Sequence, residues 1–226
     1  MPPHAPRWTL FLAAAALTLA TTACDQVKID VGPFPTETAT TAAPGSGSGS
    51  GSAGNASAEL AKLKVAVAGK MTGYSREKFP HWSSTGSNCD TRDSVLKRDG
   101  TKVKFSGCNV VAGTWKSVYD GKTITSPTAV DIDHVVPLAN AWRSGAAAWT
   151  TDQRKAFAND LDDPQLVAVS ASSNRSKGDQ DPSTWKPTDT SAWCAYAEDW
   201  IAVKTKFKLT VTTKEKSALA DMLEKC

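Results

Sequence analysis

The residues with the clearest chemical potential are grouped around His134, in the segment Asp131-Ile132-Asp133-His134-Val135-Val136-Pro137. An unperturbed imidazole titrates at about pH 6.5, so it can take up a proton at neutral pH. A lone histidine on a strand is usually structural, but here two carboxylates and a chain-turning proline stand beside it. Strand alternation sends Asp131 and Asp133 to one face and His134 to the other. We therefore expect a twist or bulge at the strand end if Asp133 and His134 share one site.

A second polar segment, Ala171-Ser172-Ser173-Asn174-Arg175-Ser176-Lys177-Gly178-Asp179, follows later in the chain. Taken alone, it indicates a helix entry with a solvated basic face, because an asparagine amide can cap a helix. A further histidine, His81, stands in Phe79-Pro80-His81-Trp82. A loop histidine beside a tryptophan is more typical of packing or of the surface than of catalysis.

Together, the segments around His134 and Asn174 resemble the HNH nuclease motif. The resemblance is to the subgroup with the C-terminal nuclease domain of GmrSD-type restriction enzymes, which has many exported actinobacterial members. The motif covers roughly Val130 to Pro182, and the wider similarity covers Tyr74 to Cys226. It implies an α+β fold in which a ββα-metal (HNH, His-Me finger) core carries added strands and flanking helices.

The same resemblance implies roles for three residues. Asp133 and Asn174 match the metal-ligand positions of the family, and His134 matches its general base. One divalent ion is expected, and oxygen ligands from a carboxylate and an amide suit Mg²⁺ or Mn²⁺ better than zinc. The third histidine of the HNH name is absent, and Asn174 stands at that final position.

Four further residues are candidates for supporting roles, two of them by their match to the family pattern. Asp131 matches an acidic position that we expect to support the metal ligands. Gln165 is nearest in position to the asparagine that usually braces the metal loop. Arg175 and Lys177 either bind the phosphates that flank the cleaved bond or belong to a solvated helix face.

The amino-terminal segment predicts export. An apolar run, Trp8 to Ala20, is followed by small residues and then by Cys24, which is the pattern of a signal peptide over residues 1–23. The run is too short for a comfortable membrane span of roughly 20 residues. A cysteine at this point suggests lipoprotein processing, in which Cys24 is acylated; ordinary cleavage would instead release a soluble protein. Residues 25–57 are rich in Gly, Ser and Thr and predict a disordered linker, and residues 58–226 have the length of one nuclease domain.

Cysteine usage agrees with export. Apart from Cys24, the chain holds Cys89, Cys108, Cys194 and Cys226. Four cysteines in an exported domain predict two disulfides with three alternative connectivities. Proximity in sequence favours Cys89–Cys108 and Cys194–Cys226. A zinc site is disfavoured, because no C-x-x-C pair is present.

The elements that must position these side chains follow from periodicity and capping signals. Leu60, Leu63 and Val67 recur at helical spacing, whereas residues 94–136 have strand and turn signals. A further strand is predicted at residues 165–169. Capping boxes predict helices that begin after Thr150 and Thr212. A longer helix before the last one presents its large apolar residues on one core-facing side: Trp193, Tyr196, Trp200, Val203 and Phe207.

These observations predict an exported, metal-dependent endonuclease that cleaves DNA, with RNA as a second substrate. The net charge of +3 permits a polyanionic substrate but does not itself argue for one. We expect a monomer, either anchored to a membrane through acylated Cys24 or secreted. The alternative is a catalytically silent protein of the same fold that binds nucleic acid or an envelope polymer.

Overall fold

The computed structural model describes residues 49–226, with side chains from Gly54 onward. The predicted signal peptide, Cys24 and most of the predicted linker lie outside these residues. The first helix, α1, spans Gly49–Lys62 and therefore begins inside the predicted linker. It buries Ala56 and Leu60 in the core, which offsets the weak helix propensity of its glycines and serines.

Helices and strands alternate irregularly along the described chain, which confirms the α+β class. The helices after α1 are α2 (Thr91–Asp99), α3 (Leu138–Arg143), α4 (Thr151–Ala158), α5 (Ala171–Lys177), α6 (Trp193–Lys206) and α7 (Thr213–Leu223). The strands are β1 (Ser84–Gly86), β2 (Cys89–Asp90), β3 (Gly100–Ser106), β4 (Asn109–Lys116), β5 (Thr123–Ile124), β6 (Val130–His134) and β7 (Leu166–Ser170). Within residues 49–226, the structure contains no helix with the length and apolarity that a bilayer crossing requires.

The strands form three small antiparallel sheets, β1-β2, β3-β4-β5 and β6-β7. The β6-β7 pair is in register from Val130 opposite Ser170 to His134 opposite Leu166. Helix α5 follows β7 directly, and the Ser170 hydroxyl caps it by accepting from the Ser173 amide at 3.2 Å. Two paired strands followed by a helix are the ββα core that the sequence predicts.

Two apolar clusters hold these elements together. The larger one contains the buried face of α6, where Tyr196, Trp200 and Val203 are buried as predicted, together with residues of α1 and α7. A smaller cluster, which includes Trp115 of β4 and Ile132 of β6, packs α2 and β4 against the β6-β7 pair. Because β6 is buried against this second cluster, the polar residues at its end are held on a rigid element.

Both disulfides join the cysteines that proximity in sequence favours. Cys89 is bonded to Cys108, with their Cα atoms 5.0 Å apart, and Cys194 is bonded to Cys226, with Cα atoms 5.1 Å apart. Since sulfur atoms in a disulfide are not thiolates, none of these four cysteines is a zinc ligand.

Two predicted elements were wrong. Residues 94–99, where strand signals were predicted, belong instead to α2, because Asp90 caps this helix. The Asp90 carboxylate accepts from the Asp93 amide at 2.9 Å, and the Asp93 carboxylate accepts from the Asp90 amide at 3.2 Å. The first helix does not reach Val67, which is 93% exposed. By contrast, α4 and α7 begin at the predicted capping boxes of Thr150 and Thr212.

Candidate functional site

A cavity of about 300 Å³ lies between the end of β6, helix α5 and the segment around Arg76. Asp133 and His134 from the strand line it together with Asn174 and Arg175 from the helix. The register of β6 is regular to its last residue. The bulge that we expected is therefore absent from β6, and Asp133 and His134 still line one cavity. They can do so because the cavity lies at the end of the strand, where side chains from both faces border it.

The imidazole of His134 is held in one tautomer. Its Nε2 atom lies 3.0 Å from the carbonyl oxygen of Ala158, the last residue of α4. Because a carbonyl only accepts, Nε2 carries the proton, and a neutral ring then has its lone pair on Nδ1. Burial lowers the pKa of His134 to about 3, while the hydrogen bond to Ala158 acts in the opposite direction. His134 is therefore neutral at pH 7, and its Nδ1 atom is unprotonated.

Trp82 forms one side of the His134 environment. Its ring stacks on the imidazole with an interplanar angle of 21° and a centroid distance of 5.7 Å. The Trp82 backbone has φ 45°, a conformation that bulky residues rarely adopt. Asn159 fixes both flanks of this residue, since its side chain donates to the Pro80 carbonyl at 2.7 Å and accepts from the Ser83 amide at 2.8 Å. A strained tryptophan held from both sides restricts how far the imidazole can move.

His81 also lies nearby, with its ring centroid 6.3 Å from that of His134. Its Nδ1 atom is within 2.7 Å of the Phe79 carbonyl. This local hydrogen bond and an edge-on contact with Trp82 account for its position.

Asp133 is surrounded by polar groups inside the protein. The Tyr119 hydroxyl donates to Oδ2 at 2.7 Å, and the Lys177 ammonium lies 2.8 Å from Oδ2 and 3.1 Å from Oδ1. Burial raises the pKa of Asp133, and the neighbouring Lys177 opposes that rise. The ammonium also donates to the His134 carbonyl at 2.9 Å. Lys177 thus connects the backbone of the candidate base to the candidate metal ligand.

The two cations of α5 have different surroundings. Lys177 is fully buried and paired with Asp133, so neither a solvated helix face nor contact with a flanking phosphate is correct for this residue. Arg175 lines the cavity, and its Nε atom donates to the Ala171 carbonyl at 2.9 Å. This bond uses only one nitrogen of the guanidinium, so the other two can donate hydrogen bonds to water or to a ligand.

Asp131 and Asn174 contact each other across the junction of β6 and α5. The Asn174 side-chain amide donates from Nδ2 to Oδ2 of Asp131 at 3.1 Å. This bond directs the amide nitrogen to Asp131 and leaves the oxygen Oδ1 as the free acceptor of the side chain. Asp131 thereby sets the orientation of the asparagine that lines the cavity.

Gln165 is fully buried and holds the chain that follows His134. Its side chain accepts from the Val136 amide at 3.1 Å and donates to the Val136 carbonyl at 2.9 Å. Its own carbonyl accepts from the Val135 amide at 2.8 Å. Three hydrogen bonds therefore fix the turn between β6 and α3.

The chain is similar in sequence to known proteins, and this similarity shows its family. Residues 90–222 match the family described as "GmrSD restriction endonucleases, C-terminal domain". The chain belongs to this family. It is also 55% identical over 168 residues to an "Uncharacterized secreted protein" from Arthroderma benhamiae, and the aligned region covers 74% of this chain and 82% of that protein. No solved structure matches the chain.

Membership of the GmrSD C-terminal family makes this a nuclease-family domain with an HNH-type core, and HNH nucleases generally use a divalent metal. The residues fit such an ion. Asp133 Oδ1 accepts a hydrogen bond only from Lys177 among the described residues, so it keeps lone-pair capacity for a ligand. Asn174 Oδ1 adds a second oxygen donor in the same cavity. Carboxylate and amide oxygens are the donors that hard divalent cations prefer.

Sequence reasoning missed three residues of the site: Arg76, Trp82 and Tyr119. Arg76 and Trp82 precede the family-matched residues 90–222, so no motif draws attention to them. Tyr119 reaches Asp133 from the loop between β4 and β5, a contact that depends on how the sheets pack.

Proposed function

We propose that this protein is an exported, metal-dependent endonuclease that hydrolyses phosphodiester bonds in DNA, with His134 as the general base. The observation that carries the proposal is the convergence of Asp133, His134 and Asn174 on one cavity of a GmrSD-family domain. RNA is a second candidate substrate, because the cleaved bond is the same.

His134 supplies the proton acceptor. Its Nε2–H donates to the Ala158 carbonyl, so Nδ1 is the atom that takes a proton from the attacking water. Positive charge that develops on the ring is stabilised through that hydrogen bond, and Trp82 limits rotation of the ring. General-base assistance of this kind is typically worth about 10²–10⁴-fold in rate.

Asp133 and Asn174 are the proposed ligands of one divalent ion, Mg²⁺ or Mn²⁺. When bound, the ion neutralises charge that develops on the phosphate oxygens. Asp131 orients the Asn174 amide, and Gln165 holds the turn after His134, so both act through their neighbours. Arg175 is positioned at the cavity to contact a flanking phosphate. Lys177 holds Asp133 in place from inside the protein, and its charge opposes the rise in the pKa of Asp133 that burial causes.

Export is proposed from the amino-terminal sequence and is supported by the relative named as secreted. The proposed organisation is a signal peptide over residues 1–23, acylated Cys24, a linker and a single nuclease domain that acts as a monomer. The helix that begins at Gly49 shortens the proposed linker to residues 25–48. Labelling with a radioactive fatty acid, lost in Cys24→Ser, would test the lipid anchor.

The experiment that tests the function is plasmid nicking by the purified protein with Mg²⁺, with Mn²⁺ or with EDTA, and by His134→Ala with each ion. We expect cleavage that needs the metal and falls at least a hundredfold in the variant. His81→Ala is the matched control, because it removes the neighbouring imidazole and should retain activity. Folded protein that binds but does not cleave plasmid, single-stranded DNA or RNA would favour a catalytically silent binding protein instead.

A further inference from the structure

The chain segment before the family-matched residues 90–222 forms one wall of the nuclease cavity. Tyr74 and Arg76 line the cavity from this wall, together with side chains of β6 and α5. Arg76 is the first residue of the short 3-10 turn Arg76–Lys78, and its side chain is exposed. A cationic side chain therefore stands at the mouth of the site, on a segment that the family motif does not include.

Arg76 differs from the other arginines of residues 49–226 in its hydrogen bonding. Each of the other five donates to an oxygen of the protein: Arg92, Arg98, Arg143, Arg154 and Arg175. The Arg76 guanidinium makes no hydrogen bond or ion pair with any residue of this part of the chain; only its backbone carbonyl accepts a bond, from Phe79. Its donors are therefore available to a ligand.

The turn that carries Arg76 is firmly anchored. The Phe79 ring is fully buried and packs on Phe157, with ring centroids 6.1 Å apart. The Lys78 carbonyl accepts from Arg154 Nε at 2.9 Å. An anchored backbone lowers the entropy lost when the side chain binds, because only the arginine side chain itself must be ordered.

The charge of Arg76 acts on the cavity. Arg76 and His134 line the same cavity, so the positive charge of the guanidinium acts on the space beside the candidate base. Two acidic side chains line the cavity, and each has a cationic partner: Asp133 is paired with Lys177 and Asp179 with Arg143. The wall and the α5 face therefore present Arg76 and Arg175 to a ligand, a distribution that favours an anion.

We propose that Arg76 binds a phosphate group of the nucleic-acid backbone beside the bond that is cleaved. The planar guanidinium fork donates two parallel hydrogen bonds to non-bridging phosphate oxygens, and this geometry is unavailable to lysine. Arg76 and Arg175, which both line the cavity, then contact the backbone from two separate segments of the chain. The inference rests on the proposed function and adds a substrate-binding residue to it.

The test is binding of a fluorescein-labelled duplex, and of one of its single strands, measured by anisotropy in EDTA so that no cleavage occurs. Arg76→Ala should weaken binding roughly five- to tenfold, as expected for loss of one charged hydrogen-bonded contact. It should also reduce the slope of log affinity against log salt by about 0.9 for the duplex or about 0.7 for the single strand. Arg76→Lys should keep the slope and recover only part of the affinity.

Lys78→Ala is the matched control, because it removes one positive charge from the same turn, and Lys78 does not line the cavity. Equal losses in Arg76→Ala and Lys78→Ala, or an unchanged salt slope in a folded Arg76→Ala protein, would overturn the inference and leave the proposed function standing. If the unaltered protein neither binds these probes nor cleaves plasmid with Mg²⁺ or Mn²⁺, the proposed function itself fails.

Discussion

The ammonium group of Lys177 lies 2.8 Å from Oδ2 of Asp133, and the two side chains are 0% and 6% exposed. This ion pair of the candidate site is therefore buried inside the protein. A buried carboxylate without a partner is costly, so Lys177 makes it feasible to keep an ionised aspartate next to His134. Tyr119 adds a hydrogen bond to the same oxygen, at 2.7 Å.

We expect Lys177→Met to lower the free energy of unfolding by about 3–5 kcal/mol, because it leaves the buried charge of Asp133 uncompensated. Urea denaturation gives the value. Lys122→Ala is the control: Lys122 pairs with Asp120 at 3.0 Å, but its side chain is 62% exposed, so its loss should cost at most about 1 kcal/mol. Adding Asp133→Asn to Lys177→Met should restore part of the stability. Equal, small losses in the two lysine variants would contradict this account.

Gln165→Ala should both destabilise the protein and slow cleavage. The substitution leaves the buried amide and carbonyl of Val136 without their side-chain partners, at a cost on the order of 2–4 kcal/mol. The looser turn after His134 should lower kcat more than it raises KM. Gln153→Ala removes a bond to a backbone amide in an exposed capping box and should cost about 1 kcal/mol or less without affecting kcat. An unchanged kcat in Gln165→Ala would show that cleavage does not depend on Gln165 holding the turn after His134.

Stability should also depend on the ionisation of Asp199 in α6. Burial, with a contribution from the charge of Glu198, raises the pKa of Asp199 from 3.8 to about 7. The folded chain therefore holds this proton more tightly than the unfolded chain, so stability falls as pH rises from about 4 to about 7. Asp199→Asn should stabilise the protein at pH 8 by on the order of 2 kcal/mol and have little effect near pH 4.

Thermal denaturation at the two pH values measures that difference. Asp221→Asn, on the exposed side of α7, is the matched control and should change stability little at either pH. The account fails if Asp199→Asn has the same effect at pH 4 and at pH 8.

Each disulfide should contribute about 3–4 kcal/mol of stability. Cys194–Cys226 closes 32 residues and Cys89–Cys108 closes 19, so removal of the longer loop by paired Cys→Ala substitutions should cost slightly more, by about 0.5 kcal/mol. Calorimetry of the two double variants and of the reduced protein tests this. A melting curve that does not move on reduction would mean that the bonds add nothing to the folded state.

The sequence was informative where local rules dominate. Capping boxes at Thr150 and Thr212 located the starts of α4 and α7, because reciprocal side-chain bonds to free amides depend on residues three positions apart. The start of α2 was missed although Asp90 and Asp93 have the same spacing. An aspartate in place of the usual glutamate or glutamine makes that signal weaker to read. The prediction that the polar residues of β6 and α5 share one site came from the resemblance to the HNH motif and not from hydrophobic periodicity.

Other parts of the site depend on tertiary packing and have no local signature. Lysine is rarely buried, so nothing in the sequence predicts that Lys177 is inaccessible while Arg175 borders the cavity. The stacking of Trp82 on His134 depends on a positive φ and on Asn159, which lies 77 residues further along the chain. Such contacts join segments whose sequences are independent of each other, which is why they emerge only in three dimensions.

The pairing of β6 with β7 has a consequence for how such domains diverge. Hydrogen bonds between the strands set the spatial separation of the His134 and Asn174 blocks, whatever the number of residues that join them. Insertions and deletions in this connection are therefore tolerated over a wide range of lengths. One constraint limits that freedom, since the inserted segment must still deliver a carbonyl, here that of Ala158, to the imidazole. Divergent relatives should vary most in the inserted length and least in the position of that single acceptor.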